Sequence, residues 1–148
     1  MRHVRIDPTE DQLKERSAWA DGVSVRERMS RPAVTVAAGA TITEALRLMA
    51  LNRIHYLPIV DDDARLVGIV NTDDVLGTRR SDGSAARIVA AVMSSPVVSI
   101  GPAAPLSEAM RVMANRCIGA LPVVDGGRVI GMLTQSDVVT ALVRQESP

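Results

Sequence analysis

The chain repeats itself. Met29, Ser30 and Pro32 recur 64 residues later as Met93, Ser94 and Pro96. At the same offset Glu44, Ala45, Arg47 and Met49 meet Glu108, Ala109, Arg111 and Met113, and Leu57, Pro58 and Asp61 meet Leu121, Pro122 and Asp125. Farther on the offset is 63, pairing Arg65 with Arg128, Gly68 with Gly131 and Asp74 with Asp137. The lost residue falls in the Asp61-Asp62-Asp63 turn, where a deletion costs least. The matches run through helix-like, strand-like and turn-like stretches alike, so this is an internal duplication. A unit of about 60 residues is marginal alone, because it buries too little of its surface. The duplication therefore predicts an α+β fold of two repeats, each a small β-sheet with flanking helices, packed about a pseudo-two-fold axis. One continuous core and two equivalent clefts between the repeats are expected.

Local signals place the elements. Residues 1–22 read as a helical attachment: Thr9 and Gln12 have capping-box spacing, a polar helix runs from Pro8 to about Trp19, and Asp21-Gly22 ends it. Trp19, the sole Trp, is expected to dock on its own domain, with a partner subunit as the alternative. The first repeat takes residues 23–77. Ser24 and Glu27 form a second box opening a short helix, Pro32–Val36 is β-prone, and Thr41 with Glu44 is a third box. Ile42, Ala45, Leu46 and Met49 follow at helical spacing. Tyr56–Val60 and Leu66–Val70 read as two strands joined by the Asp-rich turn. A helix to about Leu76 closes the repeat. The polar run Gly77–Gly83 marks a linker, assigned to residues 78–86, and residues 87–148 form the second repeat.

Each repeat ends in the same corner. Gly131-Met132-Leu133-Thr134-Gln135-Ser136-Asp137 is a strand that ends in hydroxyls and a carboxylate before a helix, and Gly68-Ile69-Val70-Asn71-Thr72-Asp73-Asp74 is its twin. Such a corner presents side chains to a ligand.

Composition narrows the function. Lys+Arg and Asp+Glu are equal at 17 each, which disfavours a nucleic-acid partner. The absence of a signal-peptide h-region and of an apolar run near ~20 residues predicts a soluble protein without membrane partners. A single cysteine, Cys117, precludes an internal disulfide and fits the cytoplasm; its apolar context predicts a small core or boundary residue. With 1% aromatics and no Phe, the core must be aliphatic. No nucleophile elbow, phosphate loop or metal-ligand spacing appears, so neither an enzyme with a catalytic cofactor nor a metal site is expected. Asp61-Asp62-Asp63 reads as a solvated turn.

In order and spacing, the Met-Ser-x-Pro segment, the Thr/Ser-bearing strand, the Leu-Pro-Val-Val-Asp strand and the Gly-x-x-Thr-x-Ser-Asp corner resemble the CBS domain, which occurs in tandem pairs called Bateman modules. The resemblance covers residues 24 to about 144. It implies an α+β repeat pair, often associated further through its helices, that binds an adenosine-containing ligand (AMP, ADP, ATP, S-adenosylmethionine or NAD) and regulates a partner activity. Carried over residue by residue, it implies one cleft in which Thr35, His55, Tyr56, Leu57 and Pro58 face Thr134, Ser136 and Asp137. A second has Ser99, Gly119, Ala120, Leu121 and Pro122 facing Asn71, Asp73 and Asp74. There Asn71 replaces a hydroxyl and Asp73 adds negative charge, so weaker binding of phosphorylated ligands is expected.

The chemistry fits these residue types. The Asp137 carboxylate can accept from both ribose hydroxyls in charge-assisted bonds, or it can serve as a helix cap; Ser136 capping while Asp137 binds would reconcile the two. Tyr56-Leu57-Pro58 and Ala120-Leu121-Pro122 offer apolar slots for adenine, or sheet-edge protection. His55 can donate to a phosphate, with Arg53, Arg79, Arg80 and Arg116 as further cations. The first functional reading is a regulatory module binding an adenosyl ligand. The alternative is a ligand-free interaction module that dimerises and docks on a partner protein. A homodimer is expected, with Ile42, Leu46, Met49, Met110 and Met113 in the core or at the interface.

Overall fold

The computed structural model describes residue 9, residues 18–82 and residues 87–146, with the side chains of 78–86 and 146 outside the description. The Thr9 box and most of the expected first helix lie outside the described residues; its last turn, residues 18–21, is helical. Gly22 N closes that turn on Trp19 O at 3.0 Å.

Helix α1, Val25–Arg28, opens at Ser24, whose backbone N donates to Glu27 Oε2 at 2.7 Å. Strand β1 is short, Val36–Ala37. Helix α2, Ile42–Asn52, starts in the box read from Thr41 and Glu44: Glu44 N donates to Thr41 Oγ1 at 3.1 Å, and Thr41 N donates to Glu44 Oε2 at 3.1 Å. These bonds satisfy amides that a helix start leaves without intrahelical partners. Strands β2, Tyr56–Val60, and β3, Leu66–Asn71, pair antiparallel. Helix α3 spans Thr72–Asp82 and so runs past its expected end near Leu76 into the segment read as linker. Gly77 does not stop it.

The second half follows the same order. A 3₁₀ turn covers Val89–Ala91 and helix α4 covers Leu106–Arg116. Strands β4, Ala120–Asp125, and β5, Arg128–Thr134, form the second hairpin, and helix α5 spans Gln135–Glu146. The β1 equivalent shrinks to a single parallel bridge, Ile100 with Val123. Both hairpins shift register at matching places, Ile59/Val60 and Val123/Val124. Both repeats carry a cis X-Pro bond, Arg31-Pro32 and Ser95-Pro96. In the longer turn Asp61 Oδ1 accepts Asp63 N at 2.9 Å and Arg65 N at 3.0 Å, so this carboxylate organises its own loop.

The repeats exchange their opening segments. Ala20 and Val25, both fully buried, belong to a cluster with Leu106, Leu121 and Leu133 of the second repeat, and Trp19 packs on the same cluster. Val89, with Val92 and Met93, packs among Ile42, Leu57 and Val70 of the first. Backbone bonds tie each exchange: Val25 N to Ala104 O at 2.9 Å, and Val89 N to Ala40 O at 2.8 Å. The interior is thus two aliphatic clusters rather than the one continuous core expected. Each sheet buries its face against its own helices plus a segment lent by the other repeat.

Candidate functional site: two clefts between the repeats

The exchanged segments end beside the corners. Ser30 N donates to Met132 O at 2.8 Å and Met132 N returns a bond to Ser30 O at 3.0 Å. Ser94 and Ile69 make the equivalent pair at 2.9 and 3.1 Å. Gly131 permits this approach: a Cβ there would stand 2.9 Å from Ser30 O and 2.7 Å from Met29 Sδ.

At each corner the helix start is reciprocally capped. Thr134 N donates to Asp137 Oδ2 at 2.9 Å, and Asp137 N donates to Thr134 Oγ1 at 3.2 Å. Asn71 and Asp74 repeat this: Asp74 N donates to Asn71 Oδ1 at 2.8 Å, and Asn71 N donates to Asp74 Oδ2 at 3.1 Å. Of the two roles open to Asp137 the helix-capping one is present, and the capping hydroxyl is that of Thr134 rather than Ser136. Thr134 caps α5, Asp137 closes the box, and Ser136 is exposed. Asn71 is an equally good cap, so its replacing a hydroxyl leaves the corner's architecture intact. Asp137 Oδ1 also accepts from Ser30 Oγ at 3.1 Å.

Two cavities flank these corners. The first, about 350 Å³, is bounded by Ser30, Pro32, Arg53, His55 and Tyr56 on one side and by Thr134 and Ser136 on the other. The second, about 280 Å³, has Ser94, Pro96, Cys117, Gly119 and Ala120 facing Asn71 and Asp74. The walls are related by the repeat, and the substitutions between them set their character. Where the first cleft has Arg53, His55 and Tyr56, the second has Cys117, Gly119 and Ala120. The first therefore carries a guanidinium and an imidazole where the second has a thiol and a glycine, and Asp74 stands on the opposite wall of the second. His55 Nδ1 and Thr72 Oγ1 share a hydrogen bond at 3.4 Å.

Several expected residues stand elsewhere. Leu57, Pro58 and Leu121 are buried within their sheets, Pro122 is likewise buried, and none of the four is on a cavity wall. The reason is that β2 and β4 are covered on both faces over these positions. Thr35 is half-buried and lines neither cleft. Ser99 faces a third, more open hollow beside Arg65 and Gly127. Asp73 is exposed and stands outside both clefts, so its charge does not face the second. Cys117 is exposed rather than a core residue, because it caps α4 in the left-handed region at φ 52°. Of the arginines, Arg53 reaches the first wall and Arg116 reaches neither; the side chains of Arg79 and Arg80 lie outside the described residues. Ile42, Met49 and Met113 are core residues. The wall residues not anticipated, Ser30, Pro32, Ser94 and Pro96, belong to the Met-Ser-x-Pro segment that first revealed the repeat. Among the described residues no His, Cys, Asp and Glu cluster is arranged to hold a metal, and no helix is long and apolar enough to cross a membrane.

Comparison with known proteins agrees with the two-repeat architecture. The family model described as CBS domain matches residues 25–80 and again 89–144. A CBS domain-containing protein of Dictyostelium discoideum is 32% identical over 138 residues, covering 85% of this chain and 95% of that protein. Among solved structures, the CBS domain pair of protein MJ0100 in complex with 5′-methylthioadenosine and S-adenosyl-L-methionine superposes with a TM-score of 0.76 at 26% identity, covering 84% of this chain and 98% of that one. CBSX2 in complex with AMP gives 0.75 at 26% identity, covering 84% and 99%.

Proposed function

The chain belongs to the CBS domain family, and from that membership we propose that it is a regulatory or sensor module holding an adenosine-containing ligand (AMP, ADP, ATP or S-adenosylmethionine) in the first cleft. The observation that carries this reading is the facing of two unlike walls across about 350 Å³, a volume suited to a small ligand. One wall ends in Thr134 and Ser136, with the Asp137 carboxylate just off the lining and bonded to two residues on it, Ser30 and Thr134; the other brings Arg53, His55 and Tyr56. Asp137 is engaged through both oxygens, but a carboxylate has about four acceptor positions. Ribose hydroxyls add to the bonds from Thr134 N and Ser30 Oγ. Adenine takes the apolar stretch of Pro32, Val34 and Ile54, and a phosphate or other anion turns toward Arg53 and His55. Two solved relatives hold adenosyl compounds, which supports the ligand class.

In the second cleft Cys117 and Gly119 stand where Arg53 and His55 line the first, so its described wall offers a phosphate fewer partners and suits an uncharged adenosyl ligand better than a nucleotide. The module further acts as a homodimer that reports to a partner protein. Leu51, Val139 and Val143 remain 75%, 58% and 58% exposed, and Val139 and Val143 lie one helical turn apart on α5. These same residues favour the second reading, a ligand-free interaction module. Thermal shift against AMP, ADP, ATP and S-adenosylmethionine separates the two, because a ligand bound only by the native state raises the melting temperature. A rise with at least one of them is expected. No rise with any of the four leaves the interaction module as the better account.

A further inference from the structure

Tyr56 and Gly119 each line both clefts. The ring tip lies over Gly119: a Cβ on that residue would stand 2.5 Å from Tyr56 Oη and 3.4 Å from Cζ. The phenol occupies the space a side chain at Gly119 would take, so a larger residue there would have to displace the ring. The repeat makes the arrangement one-sided. The counterpart of Tyr56 is Ala120 and the counterpart of Gly119 is His55. A single bulky ring therefore forms the partition, with no second ring to balance it. Its backbone is held by antiparallel pairing of Tyr56 with Asn71, itself on the second cleft's wall.

Resting on the adenosyl reading of the first cleft, we propose that the two clefts are coupled antagonistically through Tyr56, the wall they share. Space gained by one cleft as the ring moves is lost by the other, and the two hollows, about 350 and 280 Å³, are small enough for a ring's displacement to matter. A ligand that presses the ring out of the first cleft narrows the second. By linkage, an occupant of the second weakens binding in the first by the same factor.

The chain offers a direct test, because it has one tyrosine and one cysteine, and the exposed Cys117 lines the second cleft. Alkylating Cys117 with N-ethylmaleimide fills that cleft, and selectively ¹³C-labelled tyrosine reports on Tyr56 alone. Alkylation is expected to shift the tyrosine resonance and to weaken AMP binding about fivefold or more. In Tyr56→Ala the same alkylation should leave AMP affinity unchanged. A static tyrosine resonance with equal AMP affinity before and after alkylation overturns the coupling and leaves the adenosyl reading standing. Weakening that persists in Tyr56→Ala also overturns it, since the effect then bypasses the ring. A resonance that moves in a protein that binds no AMP supports the shared wall and removes the adenosyl reading instead.

Discussion

Ser30 Oγ donates to Asp137 Oδ1 at 3.1 Å across 107 residues of sequence. This bond joins the opening segment of one repeat to the helix start of the other, at the edge of the first cleft. Its neighbour Gly131 is equally committed, since a Cβ there meets the Ser30 carbonyl, a backbone atom that cannot step aside. Gly131→Ala should therefore lower the melting temperature and weaken ligand binding together. A variant as stable as the parent would show that the segment is not held where the Ser30–Met132 bonds place it.

The exchanged segments predict that neither repeat is self-sufficient. A fragment of residues 23–77 lacks Val89 and Met93, which pack on its core, and its Val25 has no second-repeat cluster to enter. It should show no cooperative unfolding transition by circular dichroism. In the full chain, Val89→Ala should cost on the order of 2 kcal/mol by denaturant titration, as expected for deleting buried methyl groups. A cost near zero would place Val89 outside the first cluster.

Glu27 gives a pH signature. Its carboxylate accepts from the Ser24 backbone N and from the Ser24 hydroxyl, and Arg28 lies nearby, so its pKa is held below the ordinary glutamate value. A depressed folded-state pKa means stability that is present above the unfolded-state value and lost as pH falls through the folded-state one. Glu27→Gln should therefore melt below the parent at neutral pH, with the gap closing below the ordinary glutamate range. A gap constant down to acid would mean the charge is irrelevant.

The exposed Val139 and Val143 predict self-association. Light scattering should give a dimer at tens of micromolar, and Val139→Glu with Val143→Glu should give a monomer that melts near the parent temperature. A parent monomer at that concentration contradicts the dimer.

Much of this architecture was legible because the duplication tests every local reading twice. The Ser24/Glu27 and Thr41/Glu44 boxes followed the serine- or threonine-to-glutamate spacing and open helices where that spacing places them. The Asn71/Asp74 and Thr134/Asp137 boxes did not stand out, because a shorter aspartate at the third helical position does the same work without matching that pattern. The exchange of segments was illegible for a deeper reason. Hydrophobic patterning says that Val25 and Val89 must be buried, but two near-identical cores satisfy that demand equally. Leu57 and Pro58 were expected at the ligand because the family resemblance carries the whole His55–Pro58 stretch to the cleft as an apolar slot for adenine, whereas a strand covered on both faces draws them inward. The double exposure of Tyr56 depends on Gly119, 63 residues away, and no local pattern encodes it.

On the proposed function, the Asp137 corner binds ribose as well as capping α5. Isothermal calorimetry with AMP on the parent and on Asp137→Asn, alongside the melting temperature of each, tests it most directly. Asparagine keeps an acceptor for Thr134 N, so the helix start and the melting temperature should change little. It loses the charge and one acceptor, and hydrogen bonds to a charged group contribute roughly 1.5–3 kcal/mol each, so AMP affinity should fall at least about tenfold. Equal AMP affinity in the two proteins, or no AMP heat in the parent, would contradict the claim and leave Asp137 as a helix cap alone.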